Sequence, residues 1–125
     1  MKSAMTSRTV LFVCRHGAGR SRLAAAFFNQ AAPEGWLATS AGLEPDPVLS
    51  PTAAGLLAGT AAAPYLDAEA PRAIGAVTAP ARTVAIECEV PGADSWELKE
   101  KQLNEAARDE IAERVAALAD EVGRG

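Results

Sequence analysis

The stretch Thr9-Val-Leu-Phe-Val-Cys-Arg-His-Gly-Ala-Gly-Arg-Ser-Arg-Leu-Ala-Ala-Ala26 decides how the chain is read. Its first six residues are a continuous apolar run without alternation, the pattern of a strand buried on both faces of a parallel sheet. Gly17 and Gly19 break that run. From Arg20 onward helix formers follow one another until Pro33, which cannot continue a helix. The unit is strand, glycine-rich loop, helix, and in open α/β sheets ligands bind where such a loop leaves the carboxyl end of its strand.

Working outward, Trp36 to Thr39 predicts a second short strand, closed by Ser40-Ala41-Gly42. Ser50-Pro51 supplies an N-cap and a first-turn proline for a short helix carrying Leu56 and Leu57, and Gly59 ends it. Thr60 to Ala81, interrupted by Pro64, Pro71 and Pro80, reads as loop with one helical turn after Pro71. Arg82 to Glu87 is a third strand ending in Cys88, and the turn-rich segment from Val90 to Leu98 holds a short edge strand near Trp96. In the last segment Leu103, Ala107, Ile111, Val115, Leu118 and Val122 recur at steps of four, four, four, three and four, one apolar helical stripe. Strands alternating with helices predict parallel βαβ units with right-handed crossovers, hence a small doubly wound α/β sheet.

The chain has 125 residues, enough for one compact domain over 1–125, with 1–8 as a flexible lead. Hydrophobic residues make up 49%, but 29 of them are alanine, so the core must be modest and closely packed. A net charge of −4 excludes nucleic-acid binding through overall charge. No apolar run approaches the roughly 20 residues of a membrane span, and neither Met1 to Ser7 nor Val10 to Val13 makes a signal-peptide core, which places the expected location in the cytoplasm. Two cysteines, Cys14 and Cys88, make no disulfide framework; such a pair is free, catalytic or redox-active. With one histidine, His16, and no Cys-x-x-Cys, no metal site is expected.

Cys14, Arg15, His16, Gly17, Ala18, Gly19, Arg20 and Ser21 occupy the loop between strand end and helix start. A loop wound around a helix N-terminus points backbone N–H groups into one concavity, and the helix dipole adds positive potential, so a small tetrahedral oxyanion is held without net positive charge on the protein. Arg20 supplies a forked donor pair. The glycines permit positive φ and close approach. Cys14 lies beneath the anion's central atom, where the same field favours thiolate over thiol, and Ser21 can donate to the sulfur. The expected chemistry is nucleophilic attack on phosphorus or arsenic, with the loop stabilising the charge that develops. Arg15, His16 and Arg22 read as rim or solvated side chains, Trp36 and Trp96 as packing residues, and Cys88 equally well as a strand-end thiol without a redox role.

Val10 to Ala26 resembles the opening of the low-molecular-weight protein tyrosine phosphatase superfamily, and most of all its arsenate reductase branch, where Cys-x-His-Asn-Ala-Gly-Arg-Ser-Gln-Met-Ala is common. Thr39-Ser-Ala-Gly42 with Ser50-Pro51, Val84-Ala-Ile-Glu-Cys88, and Pro91-Gly92 with Trp96-Glu-Leu98 and Arg108-Asp-Glu-Ile111 resemble later segments of the same family. The resemblance implies a flavodoxin-like, three-layer fold with a sheet of about four parallel strands and flanking helices. It implies either arsenate reduction, with Cys14 attacking arsenate and Cys88 matching the second cysteine, or hydrolysis of phosphate monoesters through a phosphocysteine; a non-catalytic oxyanion-binding homologue is the third alternative. A reductase needs no bound cofactor but a thiol co-substrate, supplied by a thioredoxin-like or mycoredoxin-like protein or by a small thiol such as mycothiol. Three departures matter. Gly17 stands where the family has asparagine, the usual Asp-Pro acid is replaced by Glu100-Lys101, and the tyrosines that line a phosphotyrosine cleft are absent, since Tyr65 is the only tyrosine.

Overall fold

The computed structural model describes residues 7–124, so most of the 1–8 lead lies outside the described residues, while Arg8 already opens the first strand. The elements run β1 (Arg8–Cys14), α1 (Arg20–Ala31), β2 (Trp36–Gly42), α2 (Pro51–Leu57), β3 (Arg82–Ile86), β4 (Asp94–Trp96) and α3 (Glu105–Arg124). Between α2 and β3 lie two single 3-10 turns, Ala63–Tyr65 and Ile74–Ala76, the second being the turn expected after Pro71. β2 is three residues longer than its sequence pattern suggests, because Ser40, Ala41 and Gly42 stay paired with β1. The third strand stops at Ile86, one residue short of expectation. Glu87 turns out of it with φ +56.

The four strands are all parallel in the order β2-β1-β3-β4, which puts β1 at the centre and Cys14 at its carboxyl end, opposite Gly42. The order reverses direction at β1, and the connection from β2 to β3 first packs α2 beside α1 and then returns over the opposite sheet face through Ile74 and Val77. The two faces are unequally covered. On one, Val10, Phe12, Val84 and Ile86 pack with Leu23 and Phe28 of α1 and with Ile111, Val115 and Leu118 of α3. On the other, Leu11, Val13 and Ala41 are covered by Ile74, Val77, Cys88 and Val90. The third layer is thus thin. The proline-broken middle segment offers a 3-10 turn where a longer chain has room for a helix.

Local chemistry sets the element ends. Ser50 accepts a bond from Thr52 N at 3.2 Å ahead of Pro51, and Asn104 Oδ1 accepts one from Ala107 N at 3.0 Å to start α3. Phe12 is fully buried and meets Phe28 and Trp96 at centroid distances of 6.2 and 5.8 Å, tilted as aromatic pairs prefer. β2 is an edge strand, and Asn29 of α1 blunts it by bonding both backbone groups of Ala38, at 3.0 and 2.8 Å. No described helix is long and apolar enough to cross a membrane.

Candidate active site

The loop from Cys14 to Ser21 links the central strand to α1, and its shape follows from where its carbonyls go. Those of Cys14, Arg15 and His16 accept from Leu43, Glu44 and Asp46 N at 3.2, 2.8 and 3.1 Å. That of Gly17 accepts from Arg22 Nε at 3.0 Å, and that of Gly19 from Leu23 N at 3.0 Å. Each tie fixes a trans peptide plane, within which the next residue's N–H points the opposite way from the tied carbonyl. Amide hydrogens are therefore turned into the loop while oxygens are turned out of it. The first turn of α1 adds to the positive end: Gly19 caps it without a side-chain bond, and no acidic residue stands in that turn.

Gly17 has φ +68, and a Cβ there would lie 2.7 Å from Gly42 N and 2.9 Å from the Ala41 carbonyl carbon. Two backbones touch at this point. Gly42 faces the same limit from the other side, where a Cβ would lie 2.5 Å from the carbonyl carbon of His16. The asparagine that the family resemblance leads one to expect here has no room unless the end of β2 retreats.

Cys14 is 5% exposed, and its Sγ is 3.1 Å from Ser21 Oγ, as the sequence reading expected. Arg20 is only half free. One Nη donates to the Lys101 carbonyl at 2.6 Å, whereas Nε is buried and has no partner among the described residues. Arg15 and His16 stand exposed on the rim, Arg15 beside Glu44 at 3.6 Å and His16 Nδ1 3.4 Å from the Asp46 carboxylate.

Arg22 requires a correction. Far from being a solvated side chain it is 1% exposed, because the helix face that carries it is covered by residues 66–72. Its Nη1 bonds the Asp67 carbonyl and lies 3.6 Å from Asp67 Oδ2, which Arg72 grips at 2.7 Å. Burial pulls the Arg22 guanidinium below its ordinary value, with Asp67 opposing. Burial would raise Asp67, but the Glu69 amide and Arg72 outweigh it and hold the carboxylate below its usual range. Arg72 continues the chain of contacts to Thr39 Oγ1 and the Ser40 carbonyl, both at 3.0 Å.

Cys88 follows β3, partly buried, its Sγ 3.6 Å from the Val13 carbonyl. Burial and then the nearby Cys14 sulfur push its thiol up from the ordinary value. Glu100 makes no hydrogen bond to the loop among the described residues: its carboxylate accepts from Gln102 N at 3.1 Å, and its own amide leans on Glu110. What reaches the site from that segment is the Lys101 carbonyl. Glu87 is held below its usual range by the Lys101 ammonium at 2.9 Å and by the Leu98 amide, with Arg20 a lesser contributor. Nothing in its local sequence marks Glu87, a residue with no preference for positive φ. Among the described residues no group of three or more His, Cys, Asp or Glu is placed to hold a metal ion.

A central parallel strand feeding such a loop defines a doubly wound α/β enzyme of the arsenate reductase and low-molecular-weight phosphatase type, and solved structures agree. An arsenate reductase from Archaeoglobus fulgidus superposes with a TM-score of 0.71 at 30% identity, over 89% of this chain and 98% of that one. The chain belongs to the low-molecular-weight protein tyrosine phosphatase superfamily. A thioredoxin-dependent arsenate reductase from Corynebacterium glutamicum has a TM-score of 0.73 at 24% identity, matching 93% of this chain but only 62% of its own length. A low-molecular-weight protein tyrosine phosphatase from T. tengcongensis shares the fold, with a TM-score of 0.63 at 18% identity over 93% of this chain and 97% of that one. No protein-family model and no curated protein matches the chain.

Proposed function

We propose that this enzyme reduces arsenate to arsenite, with Cys14 as nucleophile, Arg20 and the loop amides as oxyanion clamp, Ser21 as donor to the Cys14 sulfur and Cys88 as second thiol. The observation that carries this reading is Cys88, whose sulfur lies against the carbonyl of the residue before Cys14 and close enough for the two sulfurs to interact electrostatically. The Cys14 thiolate forms a sulfur–arsenic bond with dihydrogen arsenate as one arsenate oxygen, taking both of the anion's own protons, leaves as water. Cys88 then gives up its proton and attacks the Cys14 sulfur; the sulfur–arsenic bond breaks with its electron pair on arsenic, arsenic(V) becomes arsenic(III), and the two thiols become a disulfide. A thioredoxin-like dithiol protein would reduce that disulfide. A small thiol of the mycothiol kind, with a mycoredoxin-like partner, is the other route for the same two electrons.

Hydrolysis of a phosphate ester is the second reading, since the same cradle suits phosphate. Less supports it: among the described residues the Glu100 carboxylate accepts from Gln102 N, and Glu87 is held below its usual range by Lys101, whereas an ester's leaving oxygen needs a proton from the protein. The test is arsenite formation with a thioredoxin system and with a mycothiol and mycoredoxin system. Turnover in one of them that Cys88→Ser abolishes is the expected result, and folded protein inert in both overturns the proposal. Aryl phosphate hydrolysis that survives Cys88→Ser would favour the phosphatase.

A further inference from the structure

We propose that Arg22 is a positioning residue that holds the oxyanion loop in its binding shape by gripping the Gly17 carbonyl from beneath. This rests on the reading of residues 14–21 as an oxyanion site. Gly17 is the weak link of that loop: it has no side chain to anchor itself, it sits at φ +68, and glycine crosses readily between backbone conformations. The peptide plane between Gly17 and Ala18 has two faces. With its oxygen down, the Ala18 N–H points up into the concavity; flipped, it would present a carbonyl oxygen to an anion. The three planes before it are tied from outside the loop, because the carbonyls of Cys14, Arg15 and His16 are bonded to the segment after β2. For the Gly17 plane the only donor among the described residues is Arg22 Nε, at 3.0 Å, inside a fully buried side chain.

The guanidinium is itself held from the far side. Asp67, through its carbonyl and its carboxylate, takes Nη1, and Arg72 fixes that carboxylate while bonding Thr39 Oγ1 and the Ser40 carbonyl near the end of β2. The Arg72 carbonyl in turn accepts from Gly42 N at 2.9 Å, the residue whose backbone touches Gly17. The proline-rich segment that looks like connecting loop therefore closes a ring of contacts: Gly17, Arg22, Asp67, Arg72, Gly42 and back to Gly17. Arg22 Nη2 is buried without a partner among the described residues, a cost that a purely space-filling residue at this position would not incur. An apolar side chain would fill the space. Only a forked cation fills it, binds a carbonyl on one side and satisfies a carboxylate on the other.

The experiment is titration of inorganic phosphate into the wild-type protein, Arg22→Met and Arg22→Lys, with the thermal midpoint of each recorded alongside. Arg22→Met is expected to weaken phosphate binding about tenfold or more, and to raise KM for the oxyanion more than it lowers kcat. Arg22→Lys, which keeps a buried donor and its charge, is expected to recover part of that loss. If Arg22→Met does not fold, the double change Arg22→Met, Asp67→Asn removes the carboxylate left uncompensated and is read in the same way. A folded Met variant that binds phosphate within about twofold of wild type, or a Lys variant no better than Met, overturns the role of Arg22 alone. Failure of the wild type to bind phosphate overturns the oxyanion site itself, and this proposal with it.

Discussion

Gly17 and Ser21 carry the sharpest consequences for single residues. At Gly17 a side chain meets both a left-handed backbone and the Ala41–Gly42 backbone at 2.7–2.9 Å. Gly17→Ala is therefore expected to cost at least about 1–2 kcal/mol of stability by urea unfolding and to abolish phosphate binding. Gly17→Asn should do the same, although asparagine is what the family resemblance leads one to expect. Ser21→Ala removes the 3.1 Å contact to the nucleophile and is expected to lower kcat about ten- to a hundredfold with an unchanged melting temperature. Cys14, Arg20 and Ser21 were legible in the sequence because their spacing follows a buried strand directly. Arg22 was not, since a basic residue at a helix start looks solvated until its acid is known, and that acid, Asp67, stands in a segment without periodicity. The contact of Gly17 with Gly42 was equally hidden, because sequence shows that a glycine permits close approach but not what approaches.

Among the elements, α1 and the segment from Leu98 to Lys101 matter most for the site. Asn29 ties α1 to the outer edge of β2, so Asn29→Ala is expected to cost about 1–2 kcal/mol and to speed exchange of the Ala38 amide. Glu87 holds the 98–101 segment by its amide and its lysine. Glu87→Gln should release Lys101 from Arg20, which an altered KM for phosphate without loss of the fold would report. Cys88 is expected to react with iodoacetamide only at pH above the ordinary thiol range, since burial pushes its ionisation up; mass mapping of the labelled peptide across pH checks this. β1, α1 and α3 were readable from apolar run and helical stripe. The connection from α2 to β3 was readable only as loop, for its order comes from charged contacts made at long range.

For the whole molecule, stability should fall at both ends of the pH scale for different reasons. Asp67 and Glu87 have folded values below their ordinary values of 3.8 and 4.5, so the unfolded chain binds protons first as pH falls. Their contribution is present above those values and is lost as pH falls through the lower folded ones. Cys88 runs the other way: its folded value lies above 9.0, so the unfolded chain loses the proton first, and stability declines as pH rises past that point. Urea midpoints between pH 3 and 10 test both limbs, and a flat profile would contradict both shifts. The core is concentrated on one side of the sheet, where Ile111 is fully buried. Ile111→Ala is expected to cost about 2–5 kcal/mol. That core was legible as an α3 stripe; the thin opposite layer was not, since it is built from Ile74 and Val77 in a turn with no pattern of its own.

The carbonyl of Lys101 already occupies the hand that an incoming ion must shake. Full use of the guanidinium in the proposed clamp is thus a swap of one oxygen for another at that nitrogen, and departure is the same swap reversed, with a tethered rival always within reach. A diffusing anion competes at its bulk concentration, whereas this one competes at the much higher local concentration of an attached group. Under the proposed function, the molecule would trade some affinity for a built-in means of clearing itself between turnovers.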